Sequence, residues 1–271
     1  FSPLCSEVRR ASLLNVPLTP ATVDVILKRT RDVDTTTRKI MYTAVLPKLG
    51  HPRQLSLVQR EQVIKDGLGD REPGVRVAAG KLLTKWFDII STEESNTAKE
   101  WEGDDAGVMK GLIRFLSLFD VIGTGEAIAI DALVSIFITR PEVPEVFVFP
   151  SQYWEHLTPE SAVLSRVFVE HCVKNNMEAR LEAAQLPVVT AFAFHIQEAY
   201  NKLLGVLEQI ETAKLVNAGK LSEDDDELEE ELAKKEVVLG ELLRIALKLD
   251  YGDEIGRRKV FSVVSECLRL H

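Results

Sequence analysis

The stretch Asp32-Val33-Asp34-Thr35-Thr36-Thr37-Arg38 places acidic residues at a turn and an arginine just inside the helix that follows. Asp70 precedes Val75-Arg76 in the same way, and Val8-Arg9 matches the helical half of a third copy. The three arginines are 29 and 38 positions apart, about the length of one helix pair each. This recurrence predicts a chain built from repeated antiparallel helix pairs.

The spacing is near the ~40-residue period of HEAT repeats. We therefore predict an all-α HEAT-repeat α-solenoid, a superhelical stack of antiparallel helix pairs. An acid at each turn can cap a helix start or accept a hydrogen bond from the arginine of a neighbouring repeat, so that successive turns stack in register. We expect Arg9, Arg38 and Arg76 to be structural residues of this ladder, and ligand contacts are the alternative.

Helix starts and stops recur along the chain, whereas β-type alternation is almost absent. Ser56 precedes a helical pattern that Gly69 closes. Thr158-Pro159 combines a hydroxyl N-cap with proline at the first helical position. The one β-branched and aromatic patch, 143–149, lies among prolines and is predicted to be an extended connector. The other helical patterns cover 21–30, 38–46, 72–86, 186–216, 228–248 and 254–270.

Composition divides the chain into segments. We predict basic HEAT repeats over 1–90, an acidic connector over 91–107, HEAT-like helices over 108–216 with a proline-rich connector at 140–150, an acidic loop over 217–231 and a C-terminal helix pair over 232–271. The acidic loop could be interpreted as a metal site, but its consecutive carboxylates lack the alternating ligands and glycine of a calcium loop. We expect it to face solvent.

Charge is distributed unevenly over the 271 residues. The formal net charge is −9. Residues 1–90 contain 15 Lys and Arg against 9 Asp and Glu, whereas the remainder contains 18 against 33. An acidic total argues against a surface coated by nucleic acid, but the basic first third leaves room for one local polyanion site. An uneven scatter of solvated charges is the alternative.

Several classes of protein are disfavoured by what the sequence lacks. No run approaches the ~18 apolar residues of a membrane span, so we expect no membrane contact. CxxC, HExxH, P-loop, GxSxG and GxGxxG motifs are missing, and we predict a non-enzyme without catalytic residues, metal or cofactor. Three cysteines fit a reducing compartment. Because the first residue is Phe1 and no signal-peptide pattern follows, we interpret the sequence as an internal fragment.

Five segments together resemble a known family. The first three are 26–34, 38–42 and 67–71, the last together with 81–83 and Trp86. The fourth is 157–160, which leads to 166–168, Cys172 and Leu186-Pro187, and the fifth is 249–258, which ends in a glycine-arginine motif. Their order and spacing are similar to the central HEAT repeats of condensin complex subunit 3, the CAP-G class of HEAT-repeat non-SMC subunits. The resemblance covers roughly residues 1–90 and 150–271.

The resemblance implies a non-catalytic condensin subunit. Such a subunit binds the kleisin subunit, and the two hold double-stranded DNA in a basic groove without sequence specificity. The SMC ATPase subunits are reached through the kleisin, and the assembly anchors condensin for mitotic chromosome condensation. The location implied is the nucleus and chromosomes, with the cytoplasm possible in interphase. A protein-interaction scaffold of the transport-receptor or phosphatase-scaffold type, without DNA binding, is the alternative function, and an enzyme with an unrecognised site is a third.

Basic residues outside the ladder are the candidate phosphate contacts. Lys28, Arg29 and Arg31 form the densest cluster, for which capping of a helix C-terminus is the alternative role. A second cluster, Arg257-Arg258-Lys259, follows two acids, and we favour intramolecular pairing there. The predicted DNA-binding set is Arg10, Lys28, Arg29, Arg31, Lys39, Lys48 and Arg53.

A kleisin segment is expected to dock in an apolar groove between helices. Four aromatic residues near the proline-rich connector are candidate contacts: Phe147, Phe149, Tyr153 and Trp154. The alternative is that these rings cover the core locally. Sequence alone does not separate exposed aromatic residues from core residues.

Overall fold

A computed structural model of the chain describes residues 6–97, 104–216 and 223–269. Every regular element within these residues is helical. The α-helices are α1 (Ser6–Asn15), α2 (Val23–Leu27), α3 (Thr35–Ile40), α4 (Leu57–Leu68), α5 (Pro73–Thr97), α6 (Asp104–Leu116), α7 (Glu126–Thr139), α8 (Glu142–Glu145), α9 (Ser151–Glu155), α10 (Pro159–Lys174), α11 (Glu178–Ala183), α12 (Val189–Val216), α13 (Glu223–Ala246) and α14 (Glu254–Arg269).

The chain folds as two compact units, Phe1–Val146 and Phe147–His271. Their boundary falls inside the predicted proline-rich connector and divides the predicted 108–216 segment. In the connector, α8 precedes an extended stretch in which the Phe149 N–H donates to the Ala184 carbonyl at 3.0 Å. The connector is therefore part helix and part extended chain.

In the first unit, the predicted apolar face of α5 is the centre of the core. Val75, Leu83 and Trp86 are buried against neighbouring helices. The end of α6 packs on this face, with the Phe87 and Phe115 rings 6.2 Å apart and nearly perpendicular. Edge-to-face contact of this kind is favoured by the charge distribution of aromatic rings. The periodicity of α5 was thus sufficient to predict its buried side.

The helix after the Asp34 turn does not stay regular. Following α3, a π-helical turn spans Met41–Val45, and a 3₁₀ turn spans Leu46–Lys48. Pro47 has no N–H to continue the α-helical hydrogen bonds, so the backbone changes its pattern here. The 38–46 prediction is correct for helical character but not for a uniform α-helix.

Helix ends predicted from capping residues are confirmed. The Ser56 hydroxyl accepts from the Gln59 N–H at 3.3 Å, and Gly69 ends α4. The Thr158 hydroxyl accepts from the Ser161 N–H at 3.3 Å, and the Ser161 hydroxyl accepts from the Thr158 N–H at 2.8 Å. These contacts satisfy N–H groups that have no partner inside the helix.

The ladder prediction holds for two of its three arginines. Arg9 contacts Asp32 at 3.2 Å, and Arg38 contacts Asp70 at 2.6 Å. Arg76 instead donates to the backbone carbonyls of residues 70 and 71, at 2.7 and 3.0 Å, and is exposed. No acidic partner from a following repeat meets Arg76 within the described residues.

In the second unit, α12 packs against α13 and α14, and α13 also packs against α10. A buried ion pair links two of these helices: Arg166 Nε lies 2.6 Å from Glu241 Oε2. Arg166 also reaches the half-exposed Glu170 at 2.7 Å. Both charges of the Arg166–Glu241 pair are removed from water, so each requires the opposite charge of the other to offset its lost hydration.

The acidic segments differ from prediction where the structure describes them. Residues 91–97 continue α5, residues 104–107 begin α6, and residues 223–231 form the first turns of α13, not a loop. Acidic side chains favour the positive N-terminal end of a helix. They also pair one turn along, as Glu231 does with Lys235 at 2.7 Å. The remaining predicted positions, 98–103 and 217–222, lie outside the described residues.

Candidate functional site

Two inter-helix turns of the first unit, at 31–34 and 69–72, lie side by side, and we call this surface the turn edge. A cleft of about 600 Å³ separates them. The Arg38–Asp70 pair crosses it, and Thr30 donates its hydroxyl to Asp66 at 2.7 Å. The residues that line the cleft are Thr30, Arg31, Asp32, Val33, Arg38, Lys65, Asp66, Gly69, Asp70 and Arg71.

The aspartates of the turn edge are engaged by groups of the protein. For Asp32, burial by itself raises the pKa of the carboxyl. Hydrogen bonds from the Asp34 N–H at 2.9 Å and from Arg9 outweigh burial and lower the pKa. For Asp70, the hydrogen bond from Arg38 is the main cause of a lowered pKa. Both carboxylates are therefore ionised at neutral pH, and both bind partners within the first unit.

Four cations at or beside the turn edge are exposed to solvent. The Arg31 side chain is 77% exposed, and its Nε is 3.8 Å from Asp66 Oδ1. Lys65 and Arg71 are exposed and form no ion pair with a described residue. Lys39 is also exposed, and its Nζ lies 4.0 Å from the point where a Cβ on Gly74 would stand. Lys39, Lys65 and Arg71 thus carry positive charge that no acid of the described residues pairs with.

Of the seven predicted DNA contacts, the structure places Arg31 at the turn edge and Lys39 beside it. Lys28 is exposed on the 3₁₀ turn before it. Arg29 pairs with Asp32 at 3.3 Å, so its guanidinium has a partner within the first unit. Arg53 is exposed on a separate 3₁₀ turn, Pro52–Gln54.

The side chains of the other two predicted contacts, Lys48 and Arg10, donate to backbone carbonyls of the first unit. Lys48 donates to the Leu14 carbonyl at 2.5 Å, at the end of α1. Arg10 donates to the Ser6 carbonyl at 3.2 Å and lies 3.8 Å from Asp34. Neither side chain projects freely from the surface. Whether any of the seven touches DNA stays a prediction.

Sequence reasoning missed Lys65 and Arg71. A signal was available, because Arg71 directly follows the repeated Asp70 and Lys65 lies one helical turn before Gly69. Arg31 directly precedes Asp32, the aspartate of the earlier turn that corresponds to Asp70. Because consecutive repeats stack, basic residues that flank equivalent aspartates are expected to lie near one another in space.

The aromatic candidates lie in the core, and the hypothesis of a kleisin contact at these positions is corrected. Phe147, Phe149 and Trp154 are buried, and the Phe149 ring is 5.4 Å from that of Phe168. Tyr153 is partly exposed, but its hydroxyl donates to the Ser161 carbonyl at 2.6 Å. Local packing removes these rings from the surface, as the alternative interpretation held.

The second basic cluster is partly paired within its own helix. Arg258 forms an ion pair with Glu254 one turn earlier, in agreement with the intramolecular interpretation. The Lys259 ammonium lies 5.0 Å from the centre of the Phe194 ring, a cation–π contact. Arg257 is exposed.

Other kinds of site were searched for in the part of the chain that the structure describes. No group of three or more His, Cys, Asp or Glu side chains there could hold a metal ion. None of the helices within 6–97, 104–216 and 223–269 combines the length and apolar character that a bilayer crossing requires.

Comparison with known proteins gives one consistent result. No protein-family model matches the chain. Condensin complex subunit 3 of Schizosaccharomyces pombe is 32% identical over 263 residues, which are 97% of this chain and 25% of that protein. The proteins of the same name from Saccharomyces cerevisiae and Homo sapiens are 28% and 27% identical, over 98% and 97% of this chain and 23% and 24% of theirs. The chain therefore spans about a quarter of the length of these relatives.

A solved structure agrees with these relatives. The crystal structure of the S. pombe condensin Cnd3–Cnd2 subcomplex matches with a TM-score of 0.78 and 30% identity, over 98% of this chain and 31% of that one. The match confirms the predicted all-α HEAT-repeat solenoid class and the resemblance noted from the sequence.

Proposed function

We propose, from the premise that this chain belongs to the condensin complex subunit 3 family, that it is a non-catalytic HEAT-repeat component of condensin that binds a kleisin partner and, with it, duplex DNA. The turn edge carries the DNA part of this proposal. Asp32 and Asp70 are paired with the internal residues Arg9 and Arg38. Arg31, Lys39, Lys65 and Arg71 are exposed. Arg31 has one long contact, at 3.8 Å to Asp66, and the other three form no ion pair with a described residue, so all four are suited to phosphate contact.

Phosphate contact explains why no base-reading motif is needed. Lysine and arginine bind the DNA backbone through charge, with affinity that is independent of sequence and falls as salt rises. The ladder fixes the backbone positions from which these cations project. A preformed backbone reduces the ordering that binding requires.

The kleisin partner is proposed by analogy with the Cnd2 subunit in the matched subcomplex. Through the kleisin, the chain would be connected to the SMC ATPase subunits of condensin. We propose that it acts on chromosomes in the nucleus, during mitotic chromosome condensation. Catalysis is assigned to those ATPase subunits and not to this chain.

Binding of duplex DNA across a salt series, with and without the kleisin subunit, tests the proposal. The variant Arg31→Glu/Lys39→Glu/Lys65→Glu should lower affinity at least tenfold and make the slope of log K against log salt shallower by about one per lost contact. Lys248→Glu, an exposed lysine of the second unit, is the matched control. Equal binding by the triple variant and wild type, or no DNA binding with a stable kleisin complex, would favour the protein-interaction scaffold instead.

A further inference from the structure

A second cleft of the first unit differs in chemistry from the turn edge. It lies among α4, α5 and α7, and we call it the α5–α7 cleft. Its volume is about 700 Å³. The lining residues are Ile64, Lys65, Leu68, Gly69, Arg76, Val77, Gly80, Lys81, Ile128, Asp131, Val134, Ser135, Ile138 and Thr139.

Apolar side chains of this cleft are left open to water. Val77 is 59% exposed and Ile138 is 71% exposed, although both face a cleft with a largely apolar lining. At its floor, a Cβ added to Gly80 would lie 3.0 Å from Ser135 Oγ, so α5 and α7 approach closely there. Exposed apolar groups gathered in a cleft are typical of a surface that a partner covers.

The charges around the cleft are predominantly positive. Lys65 and Lys81 are exposed and have no ion-pair partner in the described parts of the chain. Arg76 donates only to backbone carbonyls, at 2.7 and 3.0 Å. Asp131 is the one carboxylate among the lining residues, and burial raises its pKa. The complementary ligand therefore combines apolar side chains with negative charge.

We propose that the α5–α7 cleft docks an acidic amphipathic peptide segment and, resting on the function proposed above, that the kleisin partner supplies this segment. Apolar side chains of the segment contact Val77 and Ile138, and its carboxylates lie toward Lys81 and Arg76. A helix or extended peptide laid in an interhelical groove is a common mode of recognition. DNA fits this cleft less well, because its charged backbone gains nothing from the apolar lining.

The test measures the affinity of the kleisin subunit for the whole chain by isothermal titration calorimetry. Val77→Glu and Ile138→Glu each add a charge that repels an acidic segment and remove an apolar contact, and both positions are exposed. We expect each to raise Kd at least tenfold. Lys81→Glu should raise Kd severalfold at low salt, with a smaller effect at high salt. Val58→Glu, at an exposed valine of α4 outside the cleft, is the matched control and should leave Kd unchanged.

The outcomes separate this proposal from the one on which it rests. Wild-type affinity in Val77→Glu and Ile138→Glu overturns the docking site and leaves the kleisin partnership intact. Failure of the wild-type chain to bind the kleisin removes the partnership and the docking site together. Loss of DNA affinity in the two variants, with kleisin binding unchanged, assigns the cleft to nucleic acid and overturns the peptide proposal.

Discussion

The Arg38 guanidinium grips the Asp70 carboxylate with two hydrogen bonds, Nε to Oδ2 at 2.6 Å and Nη2 to Oδ1 at 3.0 Å. The side chains are 7% and 5% exposed. Asp70 also accepts from the Glu72 N–H at 2.8 Å, and Arg38 donates to the Asp32 carbonyl at 2.9 Å. One pair thus fixes two successive turns relative to each other.

Breaking this pair should destabilise the first unit. Arg38→Gln leaves the Asp70 carboxylate buried without its cation, at a cost of about 3 kcal/mol in the free energy of unfolding. Arg29→Gln is the control, because Arg29 contacts Asp32 from a half-exposed position and should cost under about 1 kcal/mol. Urea unfolding measures both. Equal losses would mean that burial does not decide the strength of these pairs.

The same pair predicts an acid-range pH dependence. The hydrogen bond from Arg38 lowers the pKa of Asp70 in the folded chain, below the value of about 3.9 for an unfolded aspartate. Its stabilisation is therefore complete above the unfolded pKa and is lost as pH falls through the folded pKa. The difference in unfolding free energy between wild type and Asp70→Asn should be constant above about pH 5 and shrink below about pH 4. A difference in unfolding free energy that stays constant down to pH 2 would contradict a lowered pKa of Asp70 as the cause.

A glycine in α4 permits a close approach between helices in the first unit. A Cβ on Gly67 would lie 2.6 Å from Ala79 Cβ and 2.7 Å from Tyr42 Cε1. Tyr42 cannot easily move, because its hydroxyl donates to the Val63 carbonyl at 2.9 Å. Gly67→Ala should cost about 2 kcal/mol through overpacking.

The control for Gly67 is a glycine with open space around it. Gly107 lies in α6, and nothing stands within 4 Å of its Cβ position. Gly107→Ala should be neutral or stabilise by up to about 1 kcal/mol, because alanine favours the helix. Thermal unfolding compares the two. A destabilised Gly107→Ala would show that the loss at Gly67 is not specific to crowding.

In the second unit, Arg166 offers a comparison between a buried and an exposed acid. The Glu241 side chain is 2% exposed and that of Glu170 is 41% exposed, and both contact Arg166 at 2.6–2.7 Å. Glu241→Gln should cost about 3 kcal/mol, since a buried guanidinium loses its neutralising partner. Glu170→Gln should cost under about 1 kcal/mol, because water replaces the lost contact. Similar Tm values for the two variants would refute a dominant role for the buried pair.

The repeat, the helix starts and the family resemblance could be predicted from the sequence. Ser56 and Thr158 cap helices through contacts three residues away, and such contacts depend on local order in the chain. The Arg38–Asp70 pair could also be predicted, because a periodic fold converts a repeat in sequence into neighbours in space. The sequence was sufficient to predict a contact wherever the two residues lie a few positions apart or occupy equivalent positions of successive repeats.

Only the tertiary structure decided which groups remain available for binding. Arg31 and Lys48 look alike in the sequence, yet Arg31 faces solvent and Lys48 reaches the Leu14 carbonyl 34 positions away. The α5–α7 cleft likewise joins Val77 to Ile138, which no local pattern connects. Burial and pairing depend on distant neighbours, so packing alone determines which charges and apolar side chains stay free for a partner.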